Sequence, residues 1–535
     1  RHQTYSIINM PKKKLFIVGG GGLGMEVATA LEKSRPEIFD VYVFDKKKEH
    51  YNNISGLQAC VEPDLVGGML VPMDKALKFG KRVHAEVEAC YPPGVDGRTR
   101  PSIKLKARAV AVECDYLVIA TGTSYTFPGK VPWWIGSSAC QRLYEKIRDT
   151  IAKAPRIAIV GGGPVGCELA GAIKSSFTEK RVTLIHKGPE LCSSVRGADI
   201  KATSGSQMEK KSGAEGGGKY CKLKTLKGIT KMLEKIGCEV LLNQEVVLDE
   251  ASAKKDASSS VSSVIQKSVE KAKAADSSSG DASGDASGKP PSSPYVAGSG
   301  GEAKENATEF VEGKVEVDVT QFVNTRGAPK SQAKHFMGSD TNEKTIIKTK
   351  SGKEIETDLV FFCTGPIANS GVYENHYKLD YRGRLCVDDE MRCMPKEGET
   401  SNFVYAVGDC AGTRFDDEQN YMAGHEHVAT TVNNLIANAL GDVKKMKPYK
   451  PSPHPALVLY MGRKAGTAEL FGMRFGSWLT HSLKSPEAIA KMVWKGYNAG
   501  KPPKSEWSKK KKPFCGKKDA KTSYEAGSIT GDDDW

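Results

Sequence analysis

No stretch of this 535-residue chain approaches the roughly 20 uninterrupted apolar residues that a membrane-spanning helix requires. No secretory leader is visible, and the 13 cysteines include no Cys-x-x-Cys pair. Scattered cysteines in a chain of this length speak for a reducing compartment and against a disulfide framework. The first residue is Arg1; were Met10 the start, Pro11 would follow it, without the glycine that N-myristoylation needs. The formal charge of +14 comes with no recognisable groove-reading element, so nucleic acid is not the expected partner. Part of that charge sits in the tail, where "SKKKKPFCGKK" (508–518) precedes the acidic end "GDDDW". Such blocks are solvated tails first, and weak attractors of anionic lipid or nucleic acid second. No metal site is assigned.

Two segments are too poor in apolar residues to offset the entropy of ordering them. They span about 198–222 ("SGAEGGGKY") and 251–306 ("SSSGDASGDASGKPPSSP"), and they are expected to be disordered insertions without a catalytic role. The rest is long enough for two or three domains. It alternates strand-like and helix-like pieces, with "TIIKTKSGKEIET" reading as a hairpin around Ser351-Gly352.

One device occurs twice. "KLFIVGGGGLGMEVATA" (Lys14 to Ala30) and "RIAIVGGGPVGCELAGA" (Arg156 to Ala172) each read as strand, glycine turn and helix. In the first, Gly19-x-Gly21-x-x-Gly24 provides a tight turn, close backbone approach to a pyrophosphate, and close helix–strand packing. The helix N-terminus then offers free N–H groups to the phosphates. Asp45 ends the next strand, "VYVFD", where its carboxylate can accept from both hydroxyls of an adenosine ribose. The second cradle is Gly161-x-Gly163-x-x-Gly166, and its next strand, "RVTLIH", ends in His186-Lys187. Without a carboxylate there, a 2′-phosphate is not repelled, so NADPH is expected to serve beside NADH. Two cradles mean two dinucleotides, and one chain holding both can set a nicotinamide against a flavin.

Three further pieces fit this plan. "CDYLVIATGT" (with Thr121 and Gly122) and "TDLVFFCTGP" (with Gly365) are matched buried strands that stop at Thr-Gly. "NFVYAVGDCAG" ends a strand on Asp409 ahead of a helix expected from Ala423 to Leu440. Asp409 there reads either as a ligand for a flavin ribityl or phosphate-bridging hydroxyl, or as a helix cap.

Taken in order, "IVGGGGLG", "ATGT", "IVGGGPVGCELAG", "FFCTGP" and "VYAVGDCAG" resemble the two-dinucleotide flavoprotein superfamily of pyridine nucleotide-disulfide oxidoreductase type. Cys60 in "SGLQACVEP" and Cys167 each stand alone, so disulfide reduction is not expected. "HYNNISGLQACVE", "YMAGHEHVATTVNNL", "ALVLYMGRKAG" and the ending "GSWLTHSLKSPEAIAKMVWKGYNAGKPP" are similar to the ferroptosis-suppressor branch, the mitochondrion-associated homologues of apoptosis-inducing factor.

The resemblance implies an α/β chain with two Rossmann-like domains, one for FAD and one for NAD(P)H, plus a small C-terminal α+β domain. The corresponding boundaries are 12–125 and 366–440 (FAD), 126–365 (NAD(P)H, carrying both insertions), 441–505 (C-terminal) and 506–535 (tail). Carried over by motif, Gly19, Gly20, Gly21, Gly22, Leu23, Val83 and Asp409 contact FAD, and Gly24, Asp45, Gln58, Thr121 and Gly122 complete the expected FAD site. Gly161, Gly163, Gly166, Glu168, His186, Lys187 and Gly365 hold the nicotinamide coenzyme. Glu168 matches a nicotinamide-proximal carboxylate; taken alone it reads as a first-turn helix glutamate. Gln58 stands where relatives carry an arginine.

The implied activity is a ping-pong NAD(P)H:quinone oxidoreductase acting on a ubiquinone-like or vitamin-K-like acceptor. Tyr460, Phe471, Phe475, Trp478 and Trp494 are the candidates for the acceptor wall or a membrane-facing surface. The expected location is cytoplasmic, with peripheral contact to membranes, lipid droplets or mitochondria through the C-terminal domain or tail. Two other readings stay open. One is a redox-sensitive DNA- or partner-binding flavoprotein. The other is an NADH oxidase or monodehydroascorbate reductase sharing every nucleotide motif.

Overall fold

In the computed structural model, which describes residues 11–133, 135–195, 219–247, 345–416, 419–463 and 465–504, Lys13–Val18 forms strand β1, and its last four residues are all buried. A continuous apolar run of this kind suits a parallel sheet covered on both faces. Helix α1 (Gly22–Ser34) returns the chain to β2 (Phe39–Asp45), parallel to β1 with Leu15 opposite Val41 and Val18 opposite Phe44. Strand β3 (Lys81–His84) adds beyond β2, and β4 (Tyr116–Ile119) lies on the other side of β1. Successive strands thus leave β1 in opposite directions, which opens a crevice beyond its C-terminal end, where such sheets bind ligands. Between β3 and β4, Val87–Tyr91, Ser102–Leu105 and Val112–Glu113 form a separate antiparallel sheet.

The chain then builds the same arrangement again. Helix α2 (Ser137–Lys153) leads to β5 (Arg156–Val160), α3 (Pro164–Ser176), β6 (Arg181–Ile185), α4 (Leu223–Lys235), β7 (Cys238–Leu241) and finally β8 (Leu359–Phe362). These strands make a parallel sheet in the order β7-β6-β5-β8. The hairpin over Thr345–Lys348 and Glu354–Thr357 precedes β8, with Lys348 opposite Glu354.

Strand β9 (Val404–Ala406) goes back to the first sheet and pairs in parallel with β4, giving β9-β4-β1-β2-β3. The outgoing and returning connections are tied to each other. Thr123–Ser124 pairs antiparallel with Ile367–Ala368, and Asn369 donates from Nδ2 to Thr121 O (2.8 Å) and from N to Gly122 O (3.0 Å). Helix α5 (Tyr421–Ala439) follows, beginning two residues earlier than the pattern predicts and capped by Asn420.

The C-terminal part is an antiparallel sheet of β10 (Leu457–Tyr460), β11 (Gly466–Leu470) and β12 (Met473–Phe475), with helices α6 (Ser477–Lys484) and α7 (Pro486–Gly496). Trp494 and Tyr497 join the first sheet's core beside Leu15, Val43 and Leu117. Buried Glu469 accepts from Thr225 Oγ1 (2.5 Å) and Lys222 N (3.2 Å), so a carboxylate of the C-terminal sheet sits at the positive end of α4. All described residues belong to one compact unit. The expected insertions lie outside them apart from 219–222, as does the basic tail. Among the described residues no helix is long and apolar enough to cross a membrane.

Candidate functional site

At the end of β1, Gly19 turns the chain with φ of +109°, and a Cβ there would lie 2.3 Å from Ala120 O. A Cβ on Gly24 would lie 1.9 Å from Gly19 O, so no side chain fits at either end of the turn. At Gly21 and Gly22 the same atom would meet nothing within 4 Å, which leaves the room a phosphate needs. Helix α1 starts with no side-chain cap and no acidic residue in its first turn. Its N–H groups and dipole therefore stay available to an anion. Asp45 is held by the backbone at both oxygens, accepting from Gly20 N (2.6 Å) and Lys47 N (2.7 Å). Leu23 packs beneath Gly408 and Gly424, tying α1 to the Gly-Asp-Cys turn and to α5. Val83 sits in β3, opposite Phe44.

Asp409 does not cap α5, whose N-cap is Asn420, although Gln419 Nε2, just before that cap, donates to Asp409 O (2.8 Å). It lies in a single turn of 3-10 helix, Gly408–Cys410, and accepts from Thr123 Oγ1 at 2.9 Å. Lys130 Nζ donates to Thr123 O (2.8 Å) and Thr123 Oγ1 (2.6 Å), and lies 3.7 Å from Asp409 Oδ2. Behind the turn, buried Arg384 bonds Asp380 (2.6 Å) and Asp416 (2.8 Å). Burial pushes the Lys47 ammonium below its ordinary value; Asp45 opposes that shift and Lys130 adds to it. Gln58 is buried, with Nε2 donating to Glu62 (3.3 Å) and Oε1 unpartnered. Uncapped N–H groups, two cations and two carboxylates fit a dinucleotide, whose pyrophosphate is anionic and whose ribose and ribityl hydroxyls are donors. Thr123 closes the "ATGT" motif but has no role of its own in the sequence reading, and Lys130, seven residues further on, escapes it altogether.

The second cradle repeats these contacts almost atom for atom. Gly161 has φ of +112°, and its Cβ would lie 2.3 Å from Cys363 O; a Cβ on Gly166 would lie 1.9 Å from Gly161 O. Gly163 faces open space, and α3 also begins uncapped. Where Asp45 meets Gly20, here Gly162 N donates to His186 Nδ1 at 3.2 Å. An imidazole that accepts at Nδ1 is the neutral form. Burial lowers the His186 pKa, the Glu190 backbone opposes this, and Lys187 adds to it. Lys187 itself is exposed, and Gly365 follows β8 with φ of +110°.

Two expectations need correcting here. Cys167 is not alone, because Cys192 folds back onto it with the two sulfurs 3.8 Å apart. Glu168 is not a first-turn glutamate stabilised by the helix dipole, because the first turn of α3 holds no acid. It lies one turn further on, buried, where its Oε1 accepts from Lys484 Nζ (2.7 Å) and Tyr460 N (2.8 Å). Lys484 also donates to Val458 O (2.9 Å). Nearby, Arg463 pairs with Glu62 at 2.9 Å. The Tyr460 hydroxyl is buried without a partner, its pKa is raised by that burial, and its ring stands edge-on to His481 at 5.0 Å.

The five aromatic candidates divide. Tyr460 and Trp494 are buried, the latter donating to Gly68 O (3.0 Å), and Phe475 is half-buried. Phe471 (65% exposed) and Trp478 (67%) face solvent, as do Met473, Leu483 and Met492. The candidates therefore divide between an inner pair, Tyr460 and Trp494, and outer apolar residues open to solvent.

A family profile described as pyridine nucleotide-disulphide oxidoreductase matches residues 72–214 and 306–434, just over half of the chain. Apoptosis-inducing factor homolog B of Dictyostelium discoideum is 24% identical over 89% of this chain and 94% of its own length. Human ferroptosis suppressor protein 1 is 23% identical over 90% of this chain and 94% of its own length. Among solved structures, NDH2 from Plasmodium falciparum in complex with NADH superposes with a TM-score of 0.55 at 12% identity, covering 91% of this chain and 97% of that one. The sulfide:quinone oxidoreductase of Aquifex aeolicus gives 0.55 at 12% identity, covering 92% and 93%.

Proposed function

Because the chain belongs to the pyridine nucleotide-disulphide oxidoreductase family, we propose that it is an FAD-dependent NAD(P)H oxidoreductase whose acceptor is a quinone of the ubiquinone or vitamin K kind. One observation carries the reading: the same cradle is built twice, with an acid on Gly20 in the first and a neutral imidazole on Gly162 in the second. Neighbours of the same fold that are solved with NADH or named for a quinone support the choice of substrates.

FAD, when bound, supplies the two-electron relay between coenzyme and acceptor. Asp45 takes the adenosine ribose, the α1 N-terminus and Lys47 the pyrophosphate, and Asp409 with Thr123 and Lys130 the ribityl end. This arrangement does without the arginine that Gln58 replaces. At the second cradle His186 and exposed Lys187 leave a 2′-phosphate unopposed, so NADH and NADPH both serve. Glu168, held by Lys484 and the Tyr460 backbone, positions the nicotinamide end. The free Tyr460 hydroxyl is the donor for an acceptor oxygen, because a buried donor without a partner gains most from an incoming acceptor. The outer apolar face and the basic tail bring the protein to a membrane or lipid-droplet surface from the cytoplasm.

An absorbance scan followed by anaerobic additions tests the reading. Yellow protein should bleach with NADH and recolour with a short-chain quinone. Colourless protein that cannot be loaded with FAD, or bleached protein that no quinone recolours, refutes it.

A further inference from the structure

The second cradle carries a pair of thiols that the proposed electron path does not use. Cys167 lies in the first turn of α3, and Cys192 lies on the segment that returns from β6. Their sulfurs are 3.8 Å apart, so a disulfide of about 2.0 Å needs a closure of only about 1.8 Å, within reach of side-chain rotation. Both cysteines also grip one carbonyl. Cys192 N donates to Gly162 O at 2.8 Å, and the Cys167 thiol reaches the same oxygen at 3.6 Å. Gly162 N in turn holds His186. The pair therefore sits directly behind the coenzyme loop. Cys192 is held there in left-handed backbone (φ +55°), and Leu191 presses on the loop, since a Cβ on Gly162 would lie 2.4 Å from Leu191 Cδ2.

We propose that Cys167 and Cys192 form a redox-active dithiol that a hydroperoxide closes to a disulfide, weakening NAD(P)H binding at the second cradle. The chemistry balances in two steps. The Cys192 sulfur attacks the peroxide oxygen, the O–O bond breaks, and a sulfenic acid forms as water or an alcohol leaves. The Cys167 sulfur then attacks the sulfenic sulfur, and the S–S bond forms as a second oxygen leaves as water. Overall, two thiols lose two electrons and two protons, and one peroxide bond is reduced. The hydrogen bond with Cys192, then burial, raises the Cys167 pKa, so Cys167 gives up its proton only as it attacks, and that proton leaves with the departing hydroxide as water. Both sulfurs are shielded, with Cys167 fully buried and Cys192 1% exposed, so the oxidant enters only when the 188–195 segment lifts. Closure draws Cys192 toward α3 and removes the thiol donor from Gly162 O. The loop that presents Gly162 and Gly163 to the coenzyme shifts with it.

This inference rests on NAD(P)H occupying the second cradle, and the experiment separates the two. Full-length protein is treated with hydrogen peroxide, its free thiols are alkylated, and it is mapped by peptide mass spectrometry without reduction; NADH affinity is measured by titration before and after. The expected result is a 167–192 cross-linked peptide, at least about fivefold weaker NADH binding, and full recovery with dithiothreitol. Cys192→Ser and, separately, Cys167→Ala should lose the response to peroxide. Oxidation elsewhere without the 167–192 peptide overturns the proposal, as does the cross-link with affinity unchanged. Reduced protein that binds no NADH at all overturns the coenzyme assignment, and the switch with it.

Discussion

Replacing Lys484 with methionine keeps most of the side chain's volume and removes its charge from beside Glu168. The magnitude follows from burial. The Glu168 side chain is 8% exposed and Lys484 22%, with 2.7 Å between nitrogen and oxygen. Breaking a fully buried pair costs about 3–5 kcal/mol, whereas exposed pairs are worth about 0–1. A charge-assisted hydrogen bond contributes about 1.5–3 kcal/mol, and Glu168 keeps its bond from Tyr460 N. K484M should therefore cost about 2–3 kcal/mol in equilibrium urea unfolding. The double variant E168Q/K484M should cost less than the two single changes together, with a coupling of about 2 kcal/mol. Because the pair is mostly shielded, raising the salt should leave the cost largely intact. The KM for NADH should rise while flavin content stays as in the parent. A K484M variant within about 0.5 kcal/mol of the parent, or a cost that disappears in salt, would show an ordinary surface bridge and refute the reasoning.

Gly24→Ala should abolish FAD retention, and Gly166→Ala should abolish NADH binding while leaving the protein yellow, since each Cβ would fall 1.9 Å from a backbone oxygen; swapped or shared losses would break the assignment of the cradles. Burial, then Lys47 and Arg82, holds the His50 pKa down at about 3, against about 6.5 in an unfolded chain. The unfolded chain therefore binds a proton that the folded one refuses, so this contribution is complete above pH 6.5 and is lost as pH falls toward 3, at up to about 1.4 kcal/mol per pH unit. H50Q should flatten the urea-midpoint profile between pH 6 and 4, and parallel profiles would contradict it. Tyr460→Phe should raise the quinone KM about threefold to tenfold, with NADH-driven bleaching unchanged and no loss of stability, because the deleted hydroxyl has no partner to abandon. Phe471→Ser with Trp478→Ser should weaken binding to anionic vesicles by at least about tenfold, as read by co-sedimentation; equal binding would remove the C-terminal face from the membrane.

The two cradles were legible because everything that defines them is local. Glycine spacing, the apolar run before it and the strand end after it lie within about thirty residues, and the acid–imidazole difference at Asp45 and His186 can be read the same way. What stayed hidden is brought together by the fold across long stretches of chain. Lys484 lies 316 residues from Glu168, and Thr123 lies 286 from Asp409. Cys192 is nearer to Cys167 in sequence, yet it reaches its partner only because the segment after β6 folds back under the cradle. Trp478 and Trp494 show another limit. Both sit on short amphipathic helices, and only the packing of α7 on the first sheet sends one ring inward and leaves the other in solvent.

The strand that pairs Val404 with Leu117 also bears on how the chain is made. A ribosome delivers β1 to β4 early, and the edge of β4 must then wait, its backbone amides and carbonyls unpaired, until nearly three hundred more residues have emerged. During that interval the first sheet is an open template for any passing strand, and β5 likewise waits for its later partner β8. Chaperone engagement should therefore peak before Val404 leaves the exit tunnel. Truncated products ending short of it should be the ones that aggregate.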